Sequence, residues 1–299
     1  MIVELCLGTV QFGMDYGVFN TPKKDEDYCI KCMEYAVEHG IRAFDTATAY
    51  GTAEVVTGKF LKKNVIDRKE LFISTKFLPN ILDDVAPSDY ERIIEENLRK
   101  SLEVLNTDYV DAYFLHSSRY AFNNEILKAL EHVKKLGLAK HIGVSVYYPD
   151  EAHACIKSDV VDYIQAPYSI FDHRMNDENV FTEENFSKCS VDVRTAFIKG
   201  LIRLDIDEVP EHLAKAKPIL KSLDEICAKY GYTRIELAIG YIKRIKGIKH
   251  LVFGVRTIEQ LQEDIDAFNK EIPEDIFVEI DKKFANIDAD IVVPSLWKK

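Results

Sequence analysis

LFISTKF at residues 71–77 gives way to SDYERIIEENLRKSLEVL at 88–105. The first run is short and bulky, as a strand buried in a barrel wall would be. In the second, Ile94, Leu98, Leu102 and Leu105 follow the helical period. The same pairing recurs on both sides. Toward the N-terminus, IVELCLG (2–8) precedes a helix expected near 25–39, and IRAFD (41–45) precedes one near 52–63. Toward the C-terminus, YVDAYFLH (109–116) precedes NNEILKALEHVKKLG, which Gly137 ends as a C-cap. HIGVSVY (141–147) then leads to PDEAHACIK, VDYIQA (161–166) to a polar segment near 176–186, and VDVRTAF (191–197) to helices near 211–229 and 233–245. HLVFGV (250–255) leads finally into TIEQLQEDIDAF. Eight strand-plus-helix units in one chain predict an α/β fold of the (β/α)8 TIM-barrel type, a single domain over residues 1–299. The rival is an open dinucleotide-binding sheet, whose G-x-G-x-x-G after the first strand is missing from LGTVQFG.

Composition agrees with one globular core. The chain has 299 residues, 47% hydrophobic and 30% charged, and 39 basic against 50 acidic side chains give a net charge of −11. With a pI near 5.3, the protein is expected to repel a nucleic-acid backbone or an anionic membrane. MIVELCLGTVQFG has no basic leader and no window reaches the roughly 18 apolar residues of a spanning helix, so a cytoplasmic location is expected. The hydrophobic content shows no surplus for a large interface, which favours a monomer. Six scattered cysteines fit a reducing compartment. Cys29 and Cys32 form a C-x-x-C inside a helical pattern with no second ligand pair, so they are read as helix residues, one facing the core, and no metal site is expected.

In such a barrel the functional groups sit at the C-terminal strand ends. Asp45 ends the second strand, Lys76 the third and His116 the fourth, and Tyr50 lies in the loop after the second. Strands about 4.8 Å apart would let all four converge on one mouth. Each also has an ordinary reading: a turn cap, a core-edge aromatic, an exposed strand end, a satisfied core histidine. Together they suit proton transfer to a carbonyl oxygen, with an ammonium lowering the phenol's pKa, a carboxylate fixing the ammonium, and an imidazole orienting the carbonyl.

FDTATAYGTAEVVTG (44–58), STKF (74–77), FLHSS (114–118) and IGVSV (142–146) resemble the aldo-keto reductases in order and spacing through the whole chain. The resemblance implies a barrel that binds a nicotinamide cofactor without a Rossmann domain, and a catalytic tetrad of Asp45, Tyr50, Lys76 and His116. Tyr50 would be the proton donor, tuned by Lys76 and Asp45, with His116 orienting a small-molecule carbonyl substrate. Asp45 and Tyr50 are expected to meet through Lys76. For the cofactor, Gly8, Thr9 and Asp45 would lie near the nicotinamide ribose, Ser145 and Gln165 would hold the carboxamide, and Phe197 would stack on the ring. Val146 stands where the family has asparagine. GVRTIEQLQED (254–264) resembles the segment for the adenosine 2′-phosphate and adenine, bringing in Gly254, Arg256, Thr257, Gln260, Glu263 and Asp264. The helix beginning near Thr257 offers N–H groups to an anion. Arg256 could take two phosphate oxygens, which makes NADP(H) the preferred cofactor with NAD(H) as the second.

The expected function is reduction of an aldehyde or ketone to an alcohol. Gln11, Asp15 and Tyr16 in VQFGMDYG suggest a polar lining for a sugar-like substrate, and IVVPSLWKK, with Trp297, either covers the mouth or packs the last helix. Two other classes compete: a catalytically idle nicotinamide-binding sensor, which has no need of Tyr50, and a lyase or isomerase using Lys76 as a Schiff base.

Overall fold

The computed structural model describes residues 3–297. Ile2, where the first expected strand begins, and the last two residues of IVVPSLWKK lie outside that range. Eight strands form a closed parallel barrel in sequence order: β1 Glu4–Gly8, β2 Ala43–Asp45, β3 Phe72–Phe77, β4 Val110–Leu115, β5 Ala139–Ser145, β6 Tyr163–Pro167, β7 Ser190–Arg194 and β8 Ile248–Phe253. The expected TIM-barrel fold is therefore present. The register sets Asp45 beside both Gly8 and Ser74, and Ser145 beside Gln165, so that polar strand ends come level at one rim.

Around the strands run α1 Glu26–Glu38, α2 Ala53–Lys62, α3 Tyr90–Leu105, α4 Asn124–Lys135, α5 Pro149–Lys157, α6 Glu183–Lys188, α7 Lys217–Tyr230, α8 Arg234–Lys243, α9 Ile258–Asn269 and α10 Glu274–Lys283. On α3, Ile94, Leu98, Leu102 and Leu105 are all buried, the stripe that its period demands. α4 ends with Gly137 at φ +73, and its Leu138 N–H returns to Val133 O at 3.0 Å.

Three expectations shift. VDVRTAF is strand only as far as Arg194. Thr195, Ile198 and Lys199 take positive φ, which turns the chain off the barrel and leaves Phe197 beyond β7. The helix expected from 211 is a 3-10 segment over Glu211–Ala216, and α7 starts only at Lys217, with proline in its first turn. Both cysteines of the C-x-x-C are buried, not one, and burial pushes Cys29 up to about 11 and Cys32 up to about 12, which keeps them unreactive thiols. Among the described residues no helix is long and apolar enough to cross a membrane.

Candidate active site

Two glycines set the loop that carries Tyr50. A helical turn over Val10–Gly13 follows β1, and the Thr52 N–H donates to Gly13 O at 3.1 Å. A Cβ on Gly13 would lie 1.8 Å from Tyr50 O, and one on Gly51 2.4 Å from Gly13 O. The backbones touch because neither residue has a side chain, and Gly51 also adopts φ +58. This contact fixes where Tyr50 leaves the rim.

Beneath it lies a buried ion pair. Lys76 Nζ donates to Asp45 Oδ1 at 2.7 Å, to Asp45 Oδ2 at 2.6 Å and to Thr46 O at 2.9 Å, which uses all three of its N–H bonds. Lys76 is 0% and Asp45 3% exposed. Asp45 Oδ1 also accepts from Ser74 Oγ at 2.8 Å and Gln165 Nε2 at 2.9 Å, so the carboxylate of β2 is held by side chains of β3 and β6. The Lys76 ammonium stands 5.0 Å from the Tyr50 ring centroid, and the His116 ring meets Tyr50 edge-on at 5.6 Å. The four residues thus come together: Lys76, bonded to Asp45, lies beside the Tyr50 ring without a hydrogen bond to it, and His116 meets the same ring edge-on.

The electrostatics correct one expectation. Tyr50 is not lowered: burial pushes its phenol up, the Asp45 carboxylate adds to this, and only Arg194 opposes it appreciably. Lys76 has no N–H left for the phenol. His116 is lowered to about 3, first by burial and then by the nearby Lys76 and Arg194 cations, so at neutral pH it is an uncharged imidazole; its Nδ1 is buried without a partner among the described residues. A protonated phenol beside a neutral imidazole can donate one proton and one further hydrogen bond to an oxygen between them.

These side chains open into a cavity of about 590 Å³, a volume in the range of small-molecule sites. Gly8, Ser145, Gln165, Phe197, Gly254, Arg256 and Gln260 line it. The Thr9 hydroxyl is turned inward onto Asp45 O at 3.0 Å. Ser145 makes no side-chain hydrogen bond among the described residues, and Gln165 gives one amide N–H to Asp45, which leaves its carbonyl as an acceptor. Val146 is buried; its side chain offers nothing polar, and its carbonyl accepts from Arg194 Nη2 at 2.8 Å.

The 254–264 segment is arranged differently from the expectation. At the N-terminus of α9 the Ile258 N–H goes to the Tyr28 hydroxyl at 3.2 Å and the Gln260 N–H to the Thr257 hydroxyl at 3.2 Å, so the expected anion site is largely satisfied internally. Gln260 Oε1 takes the Arg256 N–H at 2.9 Å. The Arg256 guanidinium donates to Tyr16 O and pairs with no carboxylate among the described residues. Glu263 and Asp264 are both bound by Arg203, whose guanidinium also lies 4.7 Å from the Phe197 ring centroid. Asp264 is fully buried, one oxygen unpartnered among the described residues, and burial outweighs Arg203 to push it up to about 7.

Gln11 and Tyr16 line the cavity, but Asp15 does not: it is exposed and accepts the Lys23 N–H at 3.1 Å. From the C-terminal segment Pro294 and Ser295 reach the cavity, while Trp297 donates its indole N–H to Ile291 O at 3.1 Å and packs on the core. Sequence reasoning missed Arg194, Tyr147 and Arg203. Arg194 ends β7, and Lys76 stands one residue before the end of β3; a charged residue at the C-terminal end of a barrel strand was the signal that could have revealed it.

The chain is 27% identical over 286 residues to the uncharacterized oxidoreductase YqkF of Bacillus subtilis (strain 168), covering 90% of this chain and 88% of that protein. It is 27% identical over 277 residues to the NADH-specific methylglyoxal reductase of Escherichia coli (strain K12), covering 82% and 84%. The holo form of aldo-keto reductase AKR11C1 from Bacillus halodurans superposes with a TM-score of 0.77 at 26% identity, over 94% of this chain and 92% of that one. The model of the aldo/keto reductase family matches residues 4–285, and the chain belongs to that family of oxidoreductases.

Proposed function

We propose that the protein reduces an aldehyde or ketone to an alcohol, with Tyr50 as the proton donor. The observation that carries this reading is the rim itself: a protonated phenol stands against a neutral imidazole, above a buried ammonium with no N–H to spare. The cavity also suits a nicotinamide. A carboxamide needs one acceptor and one donor, which the Gln165 carbonyl and the Ser145 hydroxyl provide, and Phe197 presents an aromatic ring on the same wall. When bound, the reduced cofactor supplies hydride to the carbonyl carbon. Tyr50 gives its proton to the carbonyl oxygen, and the Lys76 ammonium nearby balances the phenolate left behind. His116 donates or shares a hydrogen bond with that oxygen without competing as an acid. Asp45, Ser74 and Gln165 keep the ammonium in place.

Arg256, unpaired by any carboxylate among the described residues, favours NADP(H) through a 2′-phosphate, with NAD(H) as the second cofactor. The name of the Escherichia coli relative supports the opposite order for that protein. Neither a sensor nor a Schiff-base enzyme accounts for the site as well: a sensor needs no proton donor, and Lys76 is fully buried with its Nζ held by Asp45 and Thr46, away from a substrate carbonyl. The test is a thermal-shift titration with NADPH and NADH, alongside reduction of an aldehyde and ketone panel that includes methylglyoxal. Stabilisation by NADPH at lower concentration, with turnover, is expected. Stronger stabilisation by NADH overturns the role of Arg256, and binding without any turnover favours the sensor.

A further inference from the structure

Along β7 the side chains alternate, so Ser190, Asp192 and Arg194 share a face. Asp192 shows which face it is: it bonds His250 Nδ1 at 2.7 Å, and both residues are 1% exposed, inside the barrel. Arg194 is therefore the inward-facing residue at the rim. Its guanidinium leans across the end of β6 toward β5. There it stacks 4.4 Å from the Tyr147 ring centroid, with Nη2 on Val146 O at 2.8 Å and Nη1 on Thr195 Oγ1 at 3.1 Å.

A guanidinium has five N–H donors, and these two bonds use two. Nε is buried without a partner among the described residues. No carboxylate pairs with Arg194 among the described residues, whereas Lys76 is neutralised by Asp45 and Arg203 by Glu263 and Asp264. Of the two acidic residues that line the cavity, Asp45 is thus taken, and Glu208 accepts the Asp205 N–H at 3.2 Å on the far loop. The cation is felt at the reacting end, since it opposes the rise of Tyr50 and helps to lower His116. A fixed planar cation with spare donors, lining the same cavity as the proton donor, matches a carboxylate or phosphate oxygen pair.

The geometry points to Arg194 as the anchor for an anionic group on the substrate, making carbonyl compounds that carry a carboxylate or phosphate the preferred class. This rests on the reductase reading above and refines it. The step itself is unchanged: hydride reaches the carbonyl carbon, Tyr50 protonates the oxygen, and the anion remains bound throughout.

The experiment measures kcat/KM for matched pairs: succinic semialdehyde against butanal for the carboxylate, and glyceraldehyde 3-phosphate against glyceraldehyde for the phosphate. The wild type is expected to favour at least one anionic member by about tenfold or more. Arg194→Gln should collapse that ratio, mainly through KM, and Arg194→Lys should restore part of it. The pair that shows the effect identifies the anion. Equal preference within both pairs, or an unchanged ratio in Arg194→Gln, overturns the proposal while leaving the reductase intact. So does a cofactor dissociation constant that weakens in Arg194→Gln by as much as the anionic KM rises, because Arg194 would then serve the nucleotide. If neither member of any pair is reduced, the reductase reading fails and this one falls with it.

Discussion

Lys76 is held by Asp45 and Thr46 rather than by Tyr50, and this decides how each residue at the rim behaves. Removing the ammonium would leave a buried carboxylate, 3% exposed, with no countercharge. Lys76→Met should therefore cost about 3–5 kcal/mol of stability in addition to its effect on turnover. Chemical denaturation should show part of that cost recovered in the Asp45→Asn, Lys76→Met double variant. His116 gives a second expectation. Its folded pKa of about 3 lies below its ordinary 6.5. The folded state therefore prefers the neutral ring, and the associated stability is present above pH 6.5 and is lost as pH falls toward 3. NMR of the imidazole Cε1–H should show no titration of His116 between pH 8 and pH 5. The sequence could pick out these groups by their places at strand ends. It could not reveal that Tyr50 is raised, because that follows from burial and from which acceptors exhaust the lysine.

At the scale of elements, the β1 turn and the β2 loop depend on contact between Gly13 and Gly51. Gly13→Ala would set a Cβ 1.8 Å from Tyr50 O, so the loop must move. A loss of about 1–3 kcal/mol is expected, with kcat/KM falling because Tyr50 is displaced. Gly137→Ala makes the contrast: its φ is +73 but nothing lies within 4 Å of the added methyl. It should cost only about 1–2 kcal/mol for the backbone conformation and leave activity unchanged, as a melting curve and an assay of both variants would show. The strands and most helices were legible because apolar runs and a 3.6 period are local signals. The end of β7 was not, because the turn at Thr195 is fixed by left-handed φ values rather than by a proline or glycine at that point. This is also why Phe197 was read as part of a strand.

For the molecule as a whole, the barrel is an arrangement that makes distant residues neighbours, and the least legible contacts are of that kind. Arg203 reaches Asp264 across 61 positions, and nothing near either residue announces the pair. That pair gives a pH expectation. Asp264 has a folded pKa of about 7 against its ordinary 3.8, so its contribution to stability is present below about pH 4 and is lost as pH rises through 7. Melting temperature followed from pH 4 to pH 8 should decline in the wild type relative to Asp264→Asn. Asp45, Lys76 and His116 were legible from their places near strand ends, and Tyr50 from the loop after β2 together with a motif resemblance, whereas Arg194 matched no part of that resemblance. The central claim is that the phenol at this mouth delivers the proton, and the most direct measurement is carbonyl reduction by Tyr50→Phe together with its NADPH affinity. The account predicts kcat/KM reduced by about a thousandfold, with the cofactor still bound as in the wild type; activity within about tenfold of the wild type, or loss of NADPH binding in place of turnover, would contradict it.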